Sequence, residues 1–168
     1  MRTLLMASRT DSHPAIDISV DIRAMPRVVI DAFFDGEALA NWWPASRSVT
    51  TPRPLGPYAI EWNSETRDEV LGRFGGVLRG TVMQVEPTRG FFVADVFWLP
   101  PNGAPIGPMA LEIACRLGVT VDGLPCTKVR VTQGGFEEGA RWRRYYEIAQ
   151  TEWQKQLDSL KHMLEWSA

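Results

Sequence analysis

The stretch from Phe136 to Glu165 constrains this chain more than any other. Trp142, Tyr146, Ala149, Trp153, Leu157, Leu160 and Leu164 recur at three- and four-residue spacing, with Arg143, Arg144, Glu147, Lys155, Asp158 and Lys161 between them. Apolar residues at i, i+3, i+4 and i+7 share one helix face, so the spacing predicts an amphipathic helix from about Glu138 to Glu165. At 1.5 Å per residue such a helix is about 40 Å long, enough to cross a small domain. A stripe this rich in large rings needs a cover, and what precedes it is strand-like. Its natural partner is a curved sheet, with function expected in the space between the two.

The preceding chain supplies that sheet. Residues 1–14 carry no periodic pattern and are expected to form a flexible N-terminal arm. Ile16, Ile18, Val20 and Ile22 alternate with Asp17, Ser19, Asp21 and Arg23, the period-two signature of a strand with one dry face. Pro26 suits the first turn of a helix. Val28, Val29, Ala32, Phe33, Leu39, Trp42 and Trp43 then fit two short helices broken at Asp35 and Gly36, with Pro44 as the stop. Strands are predicted at Tyr58–Asn63, Val77–Glu86, Phe91–Leu99, Met109–Thr120 and Cys126–Gln133. Pro100–Pro108 is expected to be a long irregular loop, and Asp122 and Gly123 fall in the last hairpin turn.

Alternation also sets side-chain direction. Met109, Leu111, Ile113, Cys115 and Leu117 form one apolar row, and Val129 and Val131 another, which leaves Cys126 on the opposite face. Side chains on opposite faces cannot bond, so Cys115 and Cys126 are expected to be free thiols, in keeping with a reducing compartment. In Phe91–Leu99 both rows are apolar. Phe92, Ala94, Val96 and Trp98 carry no charge and are placed inward, which turns Asp95 outward.

The pattern describes an α+β helix-grip fold: an antiparallel sheet of six to seven strands wrapped around a long C-terminal helix, with two short helices after the first strand. AFFDGEALANWWP, Ala32 to Pro44, resembles a segment of the family named for the activator of Hsp90 ATPase, a branch of the START and Bet v 1-like (SRPBCC) superfamily. GPYAIEW (Gly56 to Trp62), GTVMQVEPTRGFFV (Gly80 to Val93) and TEWQKQLDSLKHML (Thr151 to Leu164) resemble later blocks of that family in the same order. The resemblance spans residues 15 to 165 and implies one START/Bet v 1-like domain over 15–168. One departure is visible: Thr151 and Glu152 precede Trp153 where the family's final helix usually reads Glu-Gly-Trp. The superfamily implies a hydrophobic ligand held between sheet and helix, with cyclase or lyase chemistry in some branches. The eukaryotic activators carry a separate N-terminal domain, so Hsp90 stimulation is not implied.

Several function classes lack their residues. A formal charge of -2, from 18 basic and 20 acidic residues mixed along the chain, supplies no basic stripe for a phosphate backbone, so no nucleic-acid partner is expected. The N-terminus is too short in apolar residues for a secretory signal and no run is long enough to span a membrane, so a cytoplasmic protein is expected. His13 and His162 have no ligand-spaced partners, and no phosphate loop or nucleophile elbow is present, so neither metal nor cofactor is expected.

The aromatics remain. The residues expected to line a ligand pocket are Trp42, Trp43, Tyr58, Ile60, Trp62, Trp98, Ile113, Trp142, Tyr146 and Trp153, with indole N–H and phenol O–H groups orienting the guest. Taken singly, each aromatic is more readily a core-packing residue; it is as a group that they point to a pocket. The first reading is a carrier or sensor of a small hydrophobic or aromatic molecule. A cyclase, dehydratase or lyase using Asp95, Tyr145 or Tyr146 for proton transfer is the second. The third is a chaperone-associated interaction module, or a homodimer, that uses the apolar strand Phe91–Leu99.

Overall fold

A computed structural model describes residues 14–166. The expected N-terminal arm lies outside the described residues except for Pro14. The chain opens with strand β1 (Ile16–Ile22), helices α1 (Pro26–Ala32) and α2 (Gly36–Trp42), and strands β2 (Arg47–Thr50) and β3 (Pro57–Trp62). Two very short strands follow, β4 (Arg67–Asp68) and β5 (Gly72–Arg73). Then come the long strands β6 (Gly76–Glu86), β7 (Gly90–Leu99), β8 (Ile106–Val119) and β9 (Pro125–Gly134), and helix α3 (Ala140–Trp166). Seven strands make one antiparallel sheet in the order β1-β9-β8-β7-β6-β3-β2, and β4 and β5 pair separately. This is the helix-grip arrangement the pattern predicts.

Local chemistry accounts for the boundaries. Pro26 starts α1, where a missing N–H costs nothing. The carboxylate of Asp35 caps α2 by accepting from the Ala38 N–H at 3.0 Å, so the break between helices is the N-cap of the second. The β8–β9 hairpin turns at Gly123 with φ +79°, a backbone state that glycine adopts without steric penalty. Strand β2 escapes the pattern because its four residues, Arg47 to Thr50, hold one apolar side chain and form a short edge on β3. Strand β8 begins at Ile106, earlier than expected. Pro108 lacks a ladder donor and is accommodated where the β7–β8 register slips between Val96 and Trp98.

Strand β7 corrects the assignment of its faces. Phe91 and Val93 are buried, and so are Val96 and Trp98, while Asp95 is exposed. The pairing of β7 with both neighbours slips at this point, and Asp95 has φ +51°. A β-bulge therefore inserts one residue and reverses the phase of the strand, so each sequence-derived row is inward over half its length. The row on β8 also ends early: Met109, Leu111, Ile113 and Cys115 are buried, but Leu117 is 69% exposed because the hairpin tip runs past the core. Cys115 and Cys126 are both free, and burial pushes the Cys115 thiol up to about 12.

Helix α3 buries Ala149, Trp153, Gln156, Leu157 and Leu160 and packs against β1 and α2. Its C-terminal end is tied to the end of β1. Lys161 Nζ donates to the Asp21 carbonyl at 2.5 Å and to Glu165 at 3.0 Å, and Glu165 accepts from the Arg23 N–H at 3.0 Å. The β4–β5 excursion forms a flap held to the other end of α3. Asp68, whose side chain is 8% exposed, accepts from the Val70 and Leu71 N–H groups and from Arg144 Nε at 2.8 Å. The flap returns to β6 through Gly75 and Gly76, at φ +88° and +82°, and a Cβ on Gly76 would run into the Leu99 carbonyl.

Two outcomes follow from these contacts. Leu157 is fully buried under the sheet, so Leu157→Ala is expected to lower unfolding stability by about 2–5 kcal/mol in urea titration. For Asp68, burial opposes ionisation, but the Leu71 N–H, Arg144 and the Val70 N–H outweigh it and hold the carboxyl below its ordinary value. A lowered carboxylate pKa stabilises the latched flap above the ordinary pKa and loses that stabilisation as pH falls through the lowered one. Amide protection factors across residues 64–75, taken relative to the intrinsic exchange rate at each pH, are expected to fall below about pH 4 in the wild type, and at neutral pH in Asp68→Asn and Arg144→Ala, with β8 and β9 unaffected. Unchanged protection in both variants would remove the latch.

Candidate functional site

A cleft of about 450 Å³ lies between the first half of α3 and the sheet. The size falls within the range of small-molecule pockets. On the helix side its wall is Tyr145, Ile148, Ala149, Glu152, Trp153, Lys155 and Gln156. Trp43 and Pro44 close it after α2, Trp62 stands at the end of β3, and Leu78, Trp98 and Gln133 come from β6, β7 and β9. Leu71, Phe74 and Gly75 of the flap complete the enclosure. Pro44, Asn63, Thr66, Glu152 and Lys155 are the exposed rim, whereas Trp43, Leu71, Leu78, Trp98, Gln133 and Trp153 are buried.

Four indoles from four different elements converge here. Trp43 meets Trp153 at 4.8 Å and Trp62 at 5.2 Å between ring centroids, and Trp98 stacks with Tyr145 at 5.6 Å and 28°. Three of the four N–H groups are spent within the protein. Trp62 donates to the Trp43 carbonyl at 2.6 Å, Trp98 to the Gly75 carbonyl at 2.8 Å, and Trp153 to Gln133 Oε1 at 2.8 Å. The expectation that these indoles orient a guest by hydrogen bonds is corrected accordingly: at Trp62, Trp98 and Trp153 the N–H is spent within the protein and fixes the ring.

The other aromatics named from the sequence go elsewhere. Trp42 is fully buried beneath Trp43 with its N–H on the Ala32 carbonyl, and Tyr58 is buried with its hydroxyl on the Phe33 carbonyl. Ile60 and Ile113 are buried in the same core. Trp142 and Tyr146 are half-buried on α3 and meet Phe136 edge-on at 6.2 and 5.2 Å. None of these six lines the cleft, whose members from the sequence list are Trp43, Trp62, Trp98 and Trp153.

Among polar groups of the cleft wall, pattern reading passes over two buried glutamines, Gln156 on α3 and Gln133 on β9. Gln133 is 2% exposed and shares the parity of Val129 and Val131 on β9, so an inward polar residue was readable from the alternation. Its Nε2 donates to the Tyr145 hydroxyl at 3.2 Å and contacts Met109 Sδ at 3.3 Å. Burial pushes the Tyr145 phenol up to about 12, with the Gln133 bond acting the other way, so the hydroxyl keeps its proton at neutral pH. Asp95 is exposed on its bulge and does not line the cleft, and Tyr146 packs on Phe136. Glu61 pairs with Arg47 and Arg130 with Asp17, while Arg79 lies over the Phe97 ring at 5.8 Å. Among the described residues no group of three or more His, Cys, Asp or Glu is placed to hold a metal, and no helix is long and apolar enough to cross a membrane.

The family model for the Activator of Hsp90 ATPase homolog 1-like protein matches residues 23–165. No curated protein matches the chain at a significant level. Solved structures share the fold at low identity. A Mesorhizobium loti crystal structure is 20% identical, with a TM-score of 0.64 over 92% of this chain and 99% of that one. The Aha1 dimer from Colwellia psychrerythraea, solved in solution, is 20% identical with a TM-score of 0.59 over 91% and 97%. A Mycobacterium smegmatis protein reaches a TM-score of 0.63 at 10% identity over 92% of each chain. The chain belongs to the activator of Hsp90 ATPase homologue 1-like family and has the helix-grip fold.

Proposed function

We propose that this protein binds a small hydrophobic or aromatic molecule in the cleft between α3 and the sheet, as a carrier or sensor. The observation that supports this reading is the convergence of Trp43, Trp62, Trp98 and Trp153 on one cavity of about 450 Å³. Ring faces whose polar edges are already hydrogen-bonded gain most from apolar contact, and an open apolar cleft leaves that contact unmade. The flap carrying Leu71 and Phe74, latched through Asp68 and Arg144, is the natural gate for entry.

Within the runner-up reading, a cyclase, dehydratase or lyase, Tyr145 is the one of its three candidate residues that lines the cleft. An interaction role is favoured by a different feature. Leu117, Val119, Val121 and Leu124 are exposed around the β8–β9 hairpin tip, and the Colwellia relative is described as a dimer. Strand β7, the interaction surface suggested by the sequence, lies inside the sheet between β6 and β8. Its partner role passes to the hairpin tip, and a homodimer through that tip would be read by light scattering. The two free thiols suit a reducing, cytoplasmic setting.

Titration with apolar aromatic and lipid probes is expected to quench tryptophan fluorescence saturably. Ala149→Phe, which places a ring in the cleft from the helix wall, is expected to weaken binding at least about tenfold while keeping the far-ultraviolet dichroism. A probe panel without saturable quenching, or full affinity in Ala149→Phe, would count decisively against the cleft as a binding site.

A further inference from the structure

The hydrogen bonds of the cleft floor carry information about the guest, because one donor sets the direction of all the others. An indole N–H can only donate, so Trp153, at 2.8 Å, fixes which end of the Gln133 side chain is the carbonyl. The amide nitrogen of Gln133 must then face Tyr145 and Met109. A primary amide nitrogen only donates, so the Tyr145 oxygen is the acceptor in the 3.2 Å contact. The phenolic proton is left over: among the described residues the Tyr145 hydroxyl enters one hydrogen bond, the one from Gln133. The amide orientation is a consequence of the indole, which frees the assignment from the usual ambiguity of glutamine.

Tyr145 and Gln133 both line the cleft, and the Tyr145 ring stacks on Trp98 beside them. The neighbouring indole donors of Trp62, Trp98 and Trp153 are all consumed by protein carbonyls. Among the aromatic side chains of the cleft, the donors without a protein acceptor are thus the Tyr145 hydroxyl, beside Trp98 and Gln133, and the Trp43 indole, beside Trp62 and Trp153. We infer that the guest is a flat aromatic molecule bearing a hydrogen-bond acceptor, a ketone, quinone or ester oxygen, which takes the Tyr145 proton while its ring lies against the cleft indoles. This inference rests on the ligand-binding reading above and narrows it from any apolar molecule to an acceptor-bearing one. Burial keeps the phenol protonated through neutral pH, so the donor is present under ordinary conditions. In this role Tyr145 is a binding residue, and no proton is transferred.

The test compares naphthalene with methyl naphthyl ketone, which adds one carbonyl to the same ring system, on the full chain and on Tyr145→Phe. After correction for the partition of each probe from water, the wild type is expected to prefer the ketone by about 2- to 10-fold, the range of one net hydrogen bond. Tyr145→Phe is expected to abolish that preference, read as the ratio of the two partition-corrected affinities measured on the same variant. The infrared carbonyl stretch of the bound ketone is a readout that needs no variant: it is expected below its position in cyclohexane. Equal affinity for the two probes, a preference that survives Tyr145→Phe, or an unshifted carbonyl stretch would each overturn the donor assignment while leaving the cleft as a binding site. Binding of neither probe would overturn both readings together.

Discussion

The bond between Trp153 and Gln133 joins the long helix to the sheet in the middle of the molecule, and much of the rest is arranged around it. A buried glutamine is costly unless both ends of its amide are satisfied. The oxygen is satisfied by α3 through Trp153, and the nitrogen faces Tyr145, one helical stretch earlier, and Met109 of β8. Two residues of α3, eight positions apart, are thereby aimed at one side chain of β9. This sets the rotation of the helix about its axis, which apolar contacts of Leu157 and Leu160 alone would specify more loosely.

That rotation decides where the sheet and the helix touch and where they do not. Toward the C-terminal end of α3 the contact is close, with Leu157 and Leu160 fully buried and Lys161 and Glu165 tied to the end of β1. Toward the N-terminal half, bulky rings hold the surfaces apart. Trp43 is propped by Trp42 at 5.0 Å, and Trp98 is held by the Gly75 carbonyl. Rigid indoles whose N–H groups are fixed cannot swing to fill the remaining space, so a cavity persists where flexible side chains would have closed it.

How legible this was varies with the range of the interactions involved. Strand β1, the two short helices and α3 were readable because each is defined by a local period and local stop signals such as Pro26, Asp35 and Pro44. Cys115 and Cys126 were readable as free thiols because parity along a strand is a local property. The bulge at Asp95 was not, since a single φ of +51° reverses the phase of a strand whose residues are apolar on both sides. Strand β2 was invisible for the opposite reason: four mixed residues become a strand only because β3 offers them a partner.

Sequence alone determined the class of fold, the identity of the covering helix and the expectation of an aromatic space beneath it, because amphipathic periodicity and turn chemistry act over a few residues. Only the tertiary structure decided which rings surround that space. Trp42 and Trp43 are neighbours in the chain, yet one is sealed in the core and the other faces the cleft. Trp142 and Trp153 lie on the same helix, yet one packs on Phe136 and the other on Gln133. Local pattern assigns a residue to an apolar face. Whether that face meets solid core or an open cleft depends on what distant strands and the flap place opposite it, which no window of neighbouring residues contains.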